Sequence, residues 1–309
     1  MRVIFMGTPE FAVPCLDRLV NMNLDIVGVF TQPDKPKGRG YQLTPTPVKE
    51  KALQNNLEVF QPNSLKNEEA VAKIQELNPD IIVVVAYGKI LPKAVLDIPR
   101  LGCINVHASL LPKYRGAGPI QWSVINGETE TGVTTMYMAE GLDTGDMILK
   151  RATSISQDET AGELHDRLSV LGADCLEETI QLFLDGKQIP REVQDDSLSC
   201  YAPMLDKSLC KLDFSKTAAE LHNLVRGLSP WPVAVTTLNG KVLKIHKTAL
   251  TDVKSTSVGK VEIRDGRLFV HTSDYLLEIL QVQLEGKKSM SAKDFMMGHK
   301  ISADTILGN

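Results

Sequence analysis

Seven consecutive residues, Ile81-Ile82-Val83-Val84-Val85-Ala86-Tyr87, constrain the fold of this chain more than any other stretch. The run has strand length, is rich in β-branched side chains and has no polar face. A strand without a polar face must be covered on both sides, which places it in the middle of a parallel sheet flanked by crossover helices. Partners precede and follow it: Val3 to Met6, Asp25 to Thr31 and Cys103 to His107 are further strand-length runs, and helical segments alternate with them. That alternation is the pattern of an α/β domain. After Gly7, Thr8 is placed to cap, and Pro9 to open, a helix carrying Phe11, Cys15, Leu16 and Leu19 on one side. No G-x-G-x-x-G loop follows the first strand, because Pro9 and Phe11 stand where that loop needs backbone freedom, and there is no Walker loop.

Val133 to Met138 and Met147 to Arg151 read as a later strand pair. A long helix is expected from near Thr160, with Leu164, Leu168, Leu171, Cys175, Leu176, Ile180 and Phe183 at helical spacing and Gly186 as its stop. The 309 residues exceed what one core usually organises. The expected division is a first domain over 1–188, an ordered linker over 189–206 with Pro190 and Pro203, and a second domain over 207–309. Beyond the linker a short helix, Thr217 to Leu228, precedes Ser229-Pro230-Trp231-Pro232. Strand-length runs then follow, separated by Asn239-Gly240, Asp265-Gly266 and Glu285-Gly286, the pattern of a small β-barrel.

Apolar residues at 43% and charged residues at 23% describe an ordinary soluble globular chain. No apolar run reaches the roughly 18 to 20 residues of a membrane helix, and Met1 to Gly7 lacks a signal-peptide core, so it reads as a first strand. Five cysteines with no C-x-x-C and six scattered histidines argue against a disulfide framework or a metal site and fit a reducing, cytoplasmic compartment. The net charge of -4 is unevenly spread: residues 1–206 hold 19 Lys and Arg against 28 Asp and Glu, residues 207–309 hold 15 against 10. The basic tail invites a polyanionic partner.

Chemistry concentrates in two strings, Asn105-Val106-His107-Ala108-Ser109-Leu110-Leu111-Pro112-Lys113-Tyr114-Arg115-Gly116 and Gly141-Leu142-Asp143-Thr144-Gly145-Asp146. In a strand ending near His107, Asn105 and His107 share one face at the carboxyl end of the sheet, where open α/β sheets place their ligands. A neutral amide beside an imidazole suits acyl transfer, in which an oxyanion forms and an amine must lose a proton. Asp143, in a turn-rich segment, is able to pair with an imidazolium.

Together these strings resemble the 10-formyltetrahydrofolate-dependent formyltransferase family, and the resemblance covers nearly the whole chain. It implies a Rossmann-like parallel-sheet formyltransferase domain followed by an OB-like β-barrel. By that resemblance Asn105 would hydrogen-bond the formyl oxygen, His107 would stabilise its charge and help move the proton, and Asp143 would orient His107 or a shuttling water. The formyl group would pass directly through a tetrahedral intermediate, with 10-formyltetrahydrofolate as co-substrate and no metal. Whether Asp143 or Asp146 serves rests on position in the string alone.

Ser109, Leu110, Leu111 and Pro112 match the family's folate-binding string, with a cis Leu111-Pro112 bond expected, and Tyr87, Gly88, Ile90 and Leu91 would add a wall to the folate pocket. The long Pro/Gly loop Gln32 to Lys49 matches a family loop that approaches a tRNA acceptor stem. Lys35, Lys37, Arg39 and Lys49 would grip the RNA, with Gly38 and Gly40 freeing Arg39, and Lys241, Lys244, Lys247, Lys287 and Lys288 would touch it farther away. Within the family these features are similar to members that formylate the α-amino group of methionine on initiator tRNA as monomers, without a membrane. The alternative acceptor is a nucleotide-linked amino sugar.

Overall fold

A computed structural model describes residues 1–37, 42–302 and 304–308. Arg39, and with it Gly38 and Gly40, lies outside the described residues. The chain divides into two compact units: residues 1–116, 131–153 and 165–201 form one, and residues 117–130, 154–164 and 202–309 form the other.

The first unit is built on β1 (Arg2–Gly7), β2 (Asp25–Phe30), a two-stranded ribbon of β3 (Lys35–Lys37) and β4 (Gln42–Thr44), β5 (Val59–Phe60), β6 (Ile81–Val85), β7 (Cys103–His107), the two-residue β8 (Arg115–Gly116), β9 (Glu130–Tyr137) and β10 (Met147–Ser154). Seven of these form one sheet in the order β10-β9-β7-β6-β1-β2-β5, so β6 is the central strand. All five of its residues are buried, each side chain contributing about 1.5–3 kcal/mol by leaving water. The pairings of β6 with β1 and β7, of β1 with β2 and of β2 with β5 are parallel, and β9 runs antiparallel to β7. On one face Ile4, Met6, Ile82, Val84 and Tyr87 pack with Ile74 and Val95 from helical segments. On the other lies the long helix Ala161–Leu184, close enough that a Cβ on Gly172 would stand 3.2 Å from Val106. Thr160 caps that helix, its hydroxyl accepting from the Glu163 amide.

The order reverses direction between β1 and β6, which opens a crevice beyond their carboxyl ends. Gly7 ends β1 there: a Cβ would meet Phe5 at 2.8 Å and Ala12 at 2.9 Å, so no side chain fits. Thr8 does not cap a helix as expected. Its hydroxyl donates to the Tyr87 carbonyl at 3.0 Å, tying β1 to the end of β6, and the chain makes a 3-10 turn at Glu10–Ala12 before the helix Val13–Asn21 begins with Pro14 in its first turn.

In the second unit the helix Ala218–Gly227 starts in a capping box of Thr217 and Glu220 and packs its apolar side against an antiparallel sheet. The strands are β11 (Ala234–Leu238), β12 (Lys241–Lys254), β13 (Val261–Arg264), β14 (Arg267–His271), β15 (Tyr275–Leu284) and β16 (Met290–Ser291), in the order β11-β12-β15-β14-β13 with β16 beside β15. Asn239-Gly240 and Asp265-Gly266 form the two tight hairpins, all four residues at positive φ as such turns require. The carboxyl-terminal segment joins the two free edges. The Val261 amide donates to Thr305, the Leu307 amide to Gly259, and the Gly308 amide to Thr237 of β11. No helix among the described residues is long and apolar enough to cross a membrane.

Candidate active site

β7 delivers Asn105 and His107 to the crevice while Ile104 and Val106 stay in the core, the alternation a pleated strand imposes. Both polar side chains are buried, at 9% and 6% exposure. The Asn105 amide hydrogen-bonds to none of the described residues, and its polar atoms, unlike the Tyr87 hydroxyl, are not sealed from solvent, so the amide is open to a ligand. His107 is held more tightly. Its Nε2 lies 2.9 Å from the Tyr114 carbonyl, which can only accept, so Nε2 carries a proton. In the neutral ring the lone pair is therefore on Nδ1, and Nδ1 stands 3.7 Å from Asp143 Oδ2.

Asp143 reaches this position from the loop between β9 and β10, at φ 52°. The same Oδ2 accepts from the Gly116 amide at 2.8 Å. Gly145 lets the loop fold back on β9, because a Cβ there would stand 1.8 Å from the Tyr137 carbonyl oxygen. The two acids of the loop differ in surroundings: Asp146 pairs with Arg191 at 3.3 Å, and that guanidinium lies 3.8 Å from the centre of the Tyr137 ring, whereas Asp143 faces the imidazole.

The Ser109–Pro112 turn follows β7 directly and contains the expected cis Leu111-Pro112 bond. Thr134, fully buried, brackets it: its hydroxyl donates to the Ser109 carbonyl at 2.7 Å and accepts from the Leu111 amide at 3.2 Å. The Ser109 hydroxyl donates to the Lys113 carbonyl at 2.6 Å. Leu111 packs with Met136 and Met147 in the protein's own interior, while Leu110 and Pro112 remain partly accessible.

The segment after β6 is similarly divided. Tyr87 and Leu91 belong to the core, Gly88 takes a left-handed φ of 78°, and Ile90 is 76% exposed. The Tyr87 hydroxyl has no partner among the described residues, and burial pushes its pKa up to about 12. Gln32, from the end of β2, donates to the Tyr87 and Gly88 carbonyls, both at 3.1 Å.

The basic loop is a β-ribbon at its base, with Lys35 opposite Thr44 and Lys37 opposite Gln42. Lys35 is exposed, whereas Lys49 points inward. The Lys49 ammonium donates to Asp34 at 2.6 Å and Gln61 at 2.8 Å, the Gln61 amide donates to Asp34 at 2.7 Å, and the bonds from Lys49 and then Gln61 hold the Asp34 carboxyl below its usual range. Lys49 thus braces the loop instead of presenting a free cation. A cavity of about 450 Å³ lies at this end of the sheet, lined by Thr8, Glu10, Gln32, Lys35, Thr46 and Glu50 among others. Gln32, Asp34, Gln61, Thr134 and Tyr114 were not legible as site residues in the sequence. They act through backbone groups or through partners distant in sequence, and no spacing signals that.

Comparison with known proteins agrees with the geometry. Residues 1–180 match the formyl transferase family and residues 204–300 match the formyl transferase C-terminal domain. Methionyl-tRNA formyltransferases of Clostridioides difficile and Geotalea uraniireducens are 53% and 54% identical to the chain, covering all of it and 100% and 98% of their own lengths. Two solved structures share the fold. WlaRD, a sugar 3N-formyl transferase crystallised with dTDP and 5-N-formyl-THF, is 21% identical over 93% of this chain and 99% of its own, with a TM-score of 0.69. HypX from Aquifex aeolicus in complex with tetrahydrofolic acid is 15% identical over 96% of this chain and 47% of its own, with a TM-score of 0.63. With Asn105, His107 and Asp143 gathered at the end of the central strands and both halves of the family pattern matched in order, the chain belongs to the formyl transferase family.

Proposed function

We infer that the chain transfers the formyl group of 10-formyltetrahydrofolate to the α-amino group of methionyl initiator tRNA, for translation initiation. The observation that carries the reaction is the pairing of an unengaged Asn105 amide with an imidazole whose Nδ1 stands 3.7 Å from Asp143. A free α-amino group has a pKa of about 7.7 to 8.0, so a useful fraction is neutral and nucleophilic near pH 7. As it attacks the formyl carbon, the Asn105 amide donates to the oxygen on which negative charge develops. Nδ1 of His107 accepts the amine's proton, and Asp143 stabilises the resulting imidazolium across 3.7 Å. Collapse of the tetrahedral intermediate then returns a proton to the departing folate nitrogen. Ser109, Leu110 and Pro112, with Gly88 and Ile90, would line the folate side, and Tyr87, Leu91 and Leu111 would support them from the core.

Residues 1–188 would carry the transfer and residues 207–309 would add RNA contacts, with 189–206 between them. Lys35, Lys37 and Arg39 would meet the acceptor stem, and Lys49 would brace the ribbon that carries the two lysines. The cation content of the loop and of residues 207–309 favours an RNA acceptor over a nucleotide-linked amino sugar, which needs neither. The test supplies 10-formyltetrahydrofolate with methionyl initiator tRNA, free methionine or a dTDP-linked amino sugar and measures formylated product. Formyl-methionyl-tRNA alone supports the reading; product with the sugar alone, or with none, overturns it.

A further inference from the structure

The segment 192–201 holds an inversion of ordinary burial: apolar Val193 is 78% exposed while its polar neighbour Gln194 is 8% exposed. Hydrophobic burial cannot account for that choice, so the amide itself must be what the fold requires. Both of its donors and its acceptor oxygen are engaged. Nε2 donates to the carbonyls of Asp143 and Gly145, both at 2.8 Å, and Oε1 accepts from the Arg115 guanidinium at 3.0 Å.

These three partners are the supports of the catalytic pair. The Asp143 and Gly145 carbonyls belong to the loop that aims the Asp143 carboxylate. Arg115 stands between Tyr114, whose carbonyl fixes the His107 ring, and Gly116, whose amide fixes Asp143 Oδ2. One amide thus closes a ring that runs from His107 through Tyr114 and Arg115 to Gln194, and back through the Asp143 loop to the imidazole. The segment that presents Gln194 is itself anchored on both sides. Met147 and Glu192 exchange two backbone hydrogen bonds, and Cys200 accepts the Arg115 amide with its carbonyl and the Tyr114 amide with its sulfur.

We propose that Gln194 is a positioning residue that sets the distance between His107 and Asp143 for proton transfer. The inference rests on the formyl transfer proposed above. Without the two donated hydrogen bonds the Asp143 loop loses its tie through Gln194 to Arg115, and the charge that must stabilise the imidazolium is held less firmly.

The test is Gln194→Met, which keeps length and removes every hydrogen bond, beside Gln194→Glu, which keeps the acceptor for Arg115 and removes both donors. Each should lower kcat, expressed per folded molecule from a melting curve on the same sample, by about 10- to 100-fold, with KM for the folate and for the tRNA changed less than threefold, whereas loss of folded protein alone leaves the kcat of the folded fraction unchanged. Val193→Ser serves as the neighbouring control and should leave both constants within twofold. In ¹⁵N spectra of the substrate-free protein, the His107 ring should be a single Nε2–H tautomer in the wild type and a mixture in Gln194→Met. The proposal is overturned by kcat within twofold of wild type in both variants together with an unchanged ring spectrum, or by a loss of activity that follows only the folded fraction. Wild-type protein that formylates no acceptor overturns the underlying function instead, and the ring spectra then decide the positioning role on their own.

Discussion

Asn105 has the clearest single-residue consequence, because its amide is buried at 9% exposure and engaged by nothing among the described residues. Asn105→Ala removes the donor to the developing oxyanion and should cost about 10²- to 10³-fold in kcat. Because it breaks no hydrogen bond to the described residues, the midpoint of thermal unfolding should move by only a few degrees; single-turnover kinetics beside a melting curve checks both. Tyr87 is the converse, a hydroxyl sealed in the core without a partner among the described residues. Tyr87→Phe removes an unpaired polar group and should be neutral or stabilising by up to about 1 kcal/mol, read from denaturant melts. At this scale the sequence exposes residues that act through their own side-chain chemistry and conceals those that act through a neighbour's backbone. Asn105, His107 and Asp143 stand in recognisable strings. Tyr114 works through its carbonyl and Thr134 through two backbone groups, and any residue of suitable shape and polarity could leave the same sequence trace.

The elements were most legible where periodicity and turn chemistry agree, as in β6, β7 and the hairpins at Asn239-Gly240 and Asp265-Gly266. Reading failed where one side chain had two competing uses: Thr8 has the makings of a cap, but the Tyr87 carbonyl across the crevice claims its hydroxyl. The Ser109–Pro112 turn depends on an element far along the chain, and Thr134→Val tests that dependence. The substitution keeps shape but strands the Ser109 carbonyl and Leu111 amide, so it should cost about 2 kcal/mol of stability and raise KM for the folate. In the second unit the helix Ala218–Gly227 buries His222 between the Thr248 hydroxyl at 3.0 Å and the Gln157 carbonyl at 3.1 Å, with Asp158 at 3.3 Å and Arg226 near by. Burial, the largest influence, holds its pKa below the ordinary 6.5. The sign follows from linkage. As pH falls through 6.5 the unfolded chain binds a proton that the buried ring refuses, so stability is full above that value and declines until the lower folded value is reached. Melting temperatures from pH 7.5 to 5 should fall in the wild type and fall less steeply in His222→Gln, although that variant starts lower.

For the molecule as a whole the uneven charge is the remaining constraint: residues 1–206 carry nine more acids than bases and residues 207–309 five more bases than acids. On the proposed function, a net negative protein that takes a polyanion would meet it where its cations concentrate, and in the first unit the β3–β4 ribbon carries Lys35 and Lys37. Within it the free and the committed cations differ in kind. Lys35 is exposed, and Lys49 is tied to Asp34 and Gln61 at the ribbon's base. Counterion release turns that difference into a measurement. If Lys35, Lys37 and Arg39 each displace one phosphate-bound counterion, raising salt from about 50 to 200 mM weakens tRNA binding by roughly 40-fold, while KM for the folate barely moves. Lys35→Ala should lower the slope of log KM for tRNA against log salt by about 0.9, the value of one phosphate contact. Lys49→Met should instead weaken tRNA use with the slope unchanged, because it removes a brace and not a contact. Equal slopes for the wild type and Lys35→Ala would place the RNA elsewhere on the protein and leave the ribbon's charge as a solvated surface.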